Sequence, residues 1–135
     1  MSLQLIRPDW PAPANVRAFV STREGGVSKG PYASLNLGDH VGDDPAAVAA
    51  NRQLLRAHLP AEPLWLRQVH GVAVVDAGST RGEPPEADGA VARHAGRVCA
   101  VLTADCLPVL FCDAAGRTVA GAHAGWRGLL SGVLD

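Results

Sequence analysis

Three short segments carry side chains that could hold a metal ion: Arg67-Gln-Val-His70-Gly71, Thr103-Ala-Asp-Cys106-Leu-Pro108 and Ala122-His123-Ala-Gly-Trp-Arg127-Gly128. Each falls where an expected strand ends, and strand ends are where open sheets usually receive ligands. Two imidazoles and one thiolate suit zinc. Three protein ligands also leave a fourth tetrahedral position for water or substrate, the arrangement of a catalytic ion. Such an ion would bring the pKa of a water toward ~7. The separations of 36 and 17 residues match no compact zinc-finger spacing, so spacing alone leaves other readings open. Cys106 can be a small core residue, His123 can simply bond a backbone carbonyl, and His70 can be an ordinary turn residue.

Asp105, beside the cysteine, is the carboxylate placed to orient a ligand or move a proton, or else a turn residue. Arg127 lies between Gly125 and Gly128 at an expected helix start, where a guanidinium and free backbone N–H groups could hold an anion. Arg23 and Arg67 have the same two readings, anion-binding group or surface charge. The loop Arg23–Asp39 contains GGVSKGPY, which lacks the Gly-Lys-Ser/Thr of a phosphate loop. Asn36 in that loop is expected to bond the backbone of a turn and to line a substrate site. His40, His58 and His94 are expected at the surface, Cys99 and Cys112 in packing, and Trp10, Trp65 and Trp126 in packing rather than as substrate platforms.

The elements that must position these groups follow from pattern. Val16–Thr22 is expected as a strand. Asp44 caps a helix with Pro45 at its first position, presenting Val48, Leu55 and Leu59 on one face and stopped by Pro60. Leu64–Val69 and Val72–Val75 are expected as strand broken at His70-Gly71, with a Gly/Pro-rich loop at 76–86. The apolar run Val98–Thr103 has the pattern of a strand buried on both faces. Leu107–Cys112 and Thr118–Ala122 are expected to form a hairpin around Asp113–Arg117. A last helix starts near Gly125 and carries no glycine cap, proline or basic final turn, so it is expected to run on to the chain end.

Composition bounds the function. The 135 residues fit one domain, 47% are apolar and only 4% aromatic, so Val, Leu and Ala must build the core. A formal charge of −1 argues against nucleic acid as a partner, because phosphate backbones need clustered Lys and Arg. No apolar run approaches the ~18 residues of a spanning helix, and the N-terminus has no secretory pattern. Three cysteines, an odd count, read as thiols or ligands rather than a disulfide set. A cytoplasmic protein without membrane contact is expected, and oligomeric state is not decided.

Together, STREGGVS…SLNLG, LRQVHG, EADG, TADCLPV and AHAGWRG resemble, in order, the signatures of the purine nucleoside phosphorylase family, also called the laccase-domain or multicopper polyphenol oxidase family and linked to peptidoglycan editing. The resemblance covers essentially the whole chain. It implies an α+β fold, a layered α/β/β/α sandwich with mixed sheets. It implies that His70, Cys106 and His123 are the metal-binding and catalytic trio, with zinc expected and copper possible. The implied activities are phosphorolysis of purine nucleosides, including methylthioadenosine, and adenosine deamination, with purine nucleoside and phosphate as partners. Family members are longer, so the chain is expected to be a single domain, 1–135, truncated at its C-terminus and incomplete in its fold.

Two other functions use the same residues. In a cysteine amidase or hydrolase editing a peptidoglycan precursor, Cys106 would be the nucleophile and His123 or His70 its base. A copper polyphenol oxidase is disfavoured by residue count: five histidines, no His-x-His pair and Met1 as the only methionine leave too few ligands for a multicopper centre. One copper on the trio can still be accommodated.

Overall fold

The structure is a computed structural model that describes residues 2–78 and 82–135. The chain forms two compact units, one comprising the N-terminal residues up to Trp10 with Arg17–Leu59, the other Pro11–Val16 with Pro60–Asp135.

In the first unit, β1 (Leu5–Ile6) pairs antiparallel with β2 (Val20–Ser21). The strand expected over Val16–Thr22 is thus a two-residue pairing. Helix α1 spans Pro45–Arg56, and the Asp44 carboxylate accepts from the Ala46 N–H, as a cap before an N1 proline should. The helix closes at Ala57, short of the expected Pro60 stop. Its inward face is Val48, Asn51 and Leu55. Leu59 is only half-buried, because it lies beyond the last helical turn. Asn51 is fully buried and its amide is fully used: Oδ1 accepts from Val27 N–H, and Nδ2 donates to Ser28 Oγ and the Asn36 carbonyl. One side chain on the helix therefore pins the irregular loop 23–39 at three points.

In the second unit, β3 (Val74–Asp76), β4 (Gly89–Ala92), β5 (Leu107–Cys112) and β6 (Val119–Ala124) form a mixed sheet in the order β3-β4-β6-β5. The β3–β4 pairing is parallel and the other two are antiparallel. The β5–β6 hairpin is as expected, with Asp113 Oδ1 accepting from Arg117 N–H and Thr118 N–H at its turn. An α+β fold with one antiparallel and one mixed sheet results. Small residues on β4 and β6 (Ala90, Ala92, Gly121, Ala122) let the central strands bury deeply. Leu66, Ala87 and Ala90 form the core cluster, with Leu64, Val75, Cys99 and Val101 packed against it.

Several expectations are corrected. Leu64–Val69 forms isolated bridges, Leu64↔Cys99 and Arg67↔Glu86, rather than a strand. Val98–Thr103 is half-buried or exposed, and among the described residues its one bridge is Cys99 to Leu64, so it is not a strand. β4 arises inside a stretch with no apolar alternation. The last helix, α2 (Trp126–Ser131), does end on a glycine: Gly132 adopts φ 95° and donates its N–H to the Gly128 carbonyl. The left-handed conformation that only glycine takes without strain closes the helix there. Trp126 is 69% exposed, not packed. Of the loop expected at 76–86, residues 79–81 lie outside the described residues. Among the described residues no helix is long and apolar enough to cross a membrane.

Candidate metal centre

The second unit brings His70, Cys106 and His123 together: one ligand atom from each lies within 4.8 Å of the others. The two imidazoles meet edge to face, with centroids 4.9 Å apart and planes at 76°. Tetrahedral zinc with Zn–N about 2.0 Å and Zn–S about 2.3 Å needs ligand atoms roughly 3.3–3.6 Å apart. A contraction on the order of 1 Å therefore closes the trio on an ion. The donor set, two borderline nitrogens and a sulfur on separate segments, fits such a group.

Each side chain of the trio is placed by a different segment. Cys106 sits in the bend that leads into β5. His123 is on β6, 3% exposed. His70 follows a segment tied to residues 85–87, through Arg67 N–H to the Pro85 carbonyl and Ala87 N–H to the Arg67 carbonyl. It is exposed and sits at φ 60°, the one non-glycine residue with positive φ among those described. Such a conformation costs about 1–2 kcal/mol in an L-residue and persists only where surroundings enforce it.

What enforces it is Asp88, just before β4, with no exposed surface. Its Oδ1 accepts from Val69 N–H and Gly71 N–H, and its Oδ2 from His70 N–H, each at 3.0 Å. Oδ2 also lies 2.8 Å from His123 Nδ1. Burial by itself would raise the Asp88 pKa, but the His123 contact and the three backbone N–H groups outweigh it and hold the carboxyl below its ordinary value. Asp88 is therefore an anion and His123 Nδ1 the donor; in the neutral ring that tautomer carries its lone pair on Nε2. The Asp88 backbone also joins the sheet, donating to the Ala73 carbonyl and accepting His123 N–H at 2.6 Å.

Burial pushes the Cys106 thiol pKa up, and the charges of Asp105 and Asp88 push it further. Asp105, exposed, has Oδ1 3.8 Å from Cys106 Sγ. The thiol's charged neighbours are thus acids, the opposite of what activates a metal-free thiolate. A bound cation would reverse that balance. Gly125 is buried behind the site, where an added Cβ would come 3.0 Å from His70 Nδ1 and 3.2 Å from Cys106 Sγ. Its φ of −71° suits any residue, so glycine is needed there for space.

Among the described residues of this unit, neither Arg67 nor Arg127 is hydrogen-bonded to the trio. Arg67 Nη2 pairs with Glu86 Oε1, both side chains largely exposed. The Arg127 guanidinium lies over the Trp126 ring at 5.2 Å, two residues from Gly125. Arg23 and Asn36 belong to the first unit. Arg23 Nε donates to the Ala33 carbonyl, and Asn36 closes the expected turn by accepting Gly38 N–H. Asp88 and Gly125 carry the geometry yet have no metal-ligand signature of their own. Both stand inside short distinctive strings, EADG and AHAGWRG, and that was the only sequence signal for them.

Residues 17–135 match the model of the multi-copper polyphenol oxidoreductase laccase family. The chain belongs to that family. A purine nucleoside phosphorylase of Pseudomonas aeruginosa, PA4543, is 57% identical over 130 residues, covering 96% of this chain and 53% of the relative. Escherichia coli YfiH, also named a purine nucleoside phosphorylase, is 56% identical over 98% of this chain and 55% of its own length. The chain therefore spans about half the length of these relatives. Among solved structures, Neisseria meningitidis protein NMB0706 superposes with a TM-score of 0.89 at 53% identity, over 99% of this chain and 55% of that one. YlmD from Geobacillus stearothermophilus gives 0.87 at 38% identity, over 96% and 52%. Both of these structures share this fold.

Proposed function

We propose that this chain is the metal-binding part of a zinc-dependent purine nucleoside phosphorylase that also deaminates adenosine and accepts methylthioadenosine. The observation that carries the reading is the convergence of His70, Cys106 and His123, and the names of the relatives supply the substrate class. His70, Cys106 and His123 would hold the ion, which supplies Lewis acidity at the centre of the site. The trio accounts for one ion, which favours zinc over a multicopper oxidase.

The protein's own groups have distinct tasks. The Gly125 backbone leaves room beside the trio. In phosphorolysis the ribose C1′–N9 bond breaks, a phosphate oxygen bonds C1′, and the purine leaves with a proton. Arg127 and Arg67, in the same unit as the trio, would bind and orient the anion, a positioning role that lowers the entropic part of the barrier. In deamination Asp105, beside Cys106, would take a proton from the attacking water and return it to the departing amine. The acidic surroundings of Cys106 weigh against the amidase reading.

The test is a metal-analysed preparation of the chain, assayed with adenosine and phosphate while inosine, adenine and ribose 1-phosphate are resolved. The expected result is one zinc per chain, with metal uptake and both activities lost in His70→Ala, Cys106→Ala and His123→Ala. Full activity and metal content in Cys106→Ala would overturn the reading.

A further inference from the structure

We propose that Asp88 is the positioning residue of this centre, one buried carboxylate that presets both imidazoles before any ion arrives. The inference rests on the metal-site reading of the trio and extends it to a residue that is not itself a ligand. A carboxylate has about four lone-pair directions. All four of Asp88's are occupied, by Val69 N–H and Gly71 N–H on Oδ1 and by His70 N–H and His123 Nδ1–H on Oδ2. No acceptor capacity remains, so the group has one orientation.

The two imidazoles are controlled in different ways. For His123 the control is chemical: the carboxylate demands a proton on Nδ1, so the neutral ring keeps its lone pair on Nε2. For His70 it is conformational. Three consecutive backbone N–H groups can converge on one carboxylate only if the chain curls, and His70 takes the φ of 60° that the curl requires. Oδ2 belongs to both histidines, so displacing it releases the ring of one and the backbone of the other. Neither effect needs metal, and the complete burial of Asp88 keeps water from substituting for it.

Asp88→Asn preserves shape and removes half of this. The amide oxygen can still serve Val69 and Gly71, but the amide nitrogen then faces His70 N–H and His123 Nδ1–H, donor against donor. The expected result is a 10–100-fold loss of zinc affinity, the range seen when a carboxylate behind a ligating histidine is removed. The visible spectrum of the cobalt-loaded variant should also change in band position and intensity. A folded Asp88→Asn protein with wild-type zinc affinity and cobalt spectrum would overturn the proposal. Should the variant not fold, the wild-type protein answers instead: 15N chemical shifts of the metal-free chain should show His123 protonated on Nδ1 and bare on Nε2. The opposite tautomer would overturn the proposal. The tautomer measurement requires no metal, so its failure is distinguishable from a failure of the wild-type chain to take up zinc.

Discussion

Gly125→Ala is the sharpest test of how tightly the site is built. The backbone there accepts alanine without strain, and losing glycine's freedom in the unfolded chain favours folding by about 0.4–1 kcal/mol. The new methyl group would, however, stand 3.0 Å from His70 Nδ1 and 3.2 Å from Cys106 Sγ, against ordinary contacts of 3.4–4 Å. The ring and the sulfur must each withdraw by a few tenths of an ångström. Metal–ligand distances tolerate only about ±0.2 Å. At least one ligand then bonds poorly, and zinc affinity should fall tenfold or more, about 1.4 kcal/mol. Overpacking costs about 1–3 kcal/mol, so, set against that gain, the metal-free protein should lose no more than roughly 2.6 kcal/mol. Competition against a chelating dye gives the affinity, and urea unfolding with and without EDTA gives the stability. Wild-type zinc affinity in Gly125→Ala would refute the reasoning, because a site so close to that Cα cannot absorb a methyl group unchanged.

Other consequences can be checked the same way. His70→Gly and His70→Ala should both abolish zinc binding, but His70→Gly should be the more stable by up to roughly 1.6 kcal/mol in urea, the left-handed penalty of about 1–2 kcal/mol on alanine less the about 0.4–1 kcal/mol that glycine's freedom costs; an alanine variant more stable than the glycine one would show that His70 is not held at positive φ. In the hairpin turn, the backbone N–H groups of Arg117 and Thr118 hold the Asp113 carboxyl below its ordinary 3.8. A lowered folded-state value contributes stability above the unfolded value and loses it as pH falls through the folded one. The melting-temperature gap between the wild type and Asp113→Asn should therefore be present at pH 7 and close below pH 3.8. Burial, helped by the Asp76 charge, pushes the Cys99 thiol up to about 11. Iodoacetamide at about pH 8 should thus label Cys99 in urea but hardly in the native protein, as mass spectrometry of peptides would show.

What could be read from sequence was what local rules control. Asp44-Pro45 announces the start of α1 because a cap and an N1 proline act on the nearest turn. The β5–β6 hairpin is visible because its turn and both apolar runs are contiguous. β4 is not visible: Gly89-Ala-Val-Ala92 has little β propensity, and it is a strand only because Val74–Asp76 and Val119–Ala124 flank it. Val98–Thr103 misleads in the opposite sense, as apolar character supplies no pairing partner. Gly132 passes unnoticed as a cap because apolar residues continue on both sides of it, Leu129-Leu130 before and Val133-Leu134 after, so the run reads as unbroken helix. The trio is suggested by residue types at expected strand ends, and the family likeness singles it out. Asp88 escapes because an acid between alanine and glycine reads as a turn, and only tertiary structure shows four donors closing on it.

The pairing of β4 with β6 has one more effect. Gly89 faces Ala122, and this alignment is what sets the Asp88 carboxylate against the His123 ring. Sliding β6 by a single residue against β4 would turn His123 to the opposite side of the sheet and leave the acid without its ring. The small side chains of these strands offer little steric resistance to such a slip. Capture of an ion by the three ligands would resist it, because only the correctly aligned sheet can grip one. The metal would then act as a proofreader of strand alignment as well as a reagent.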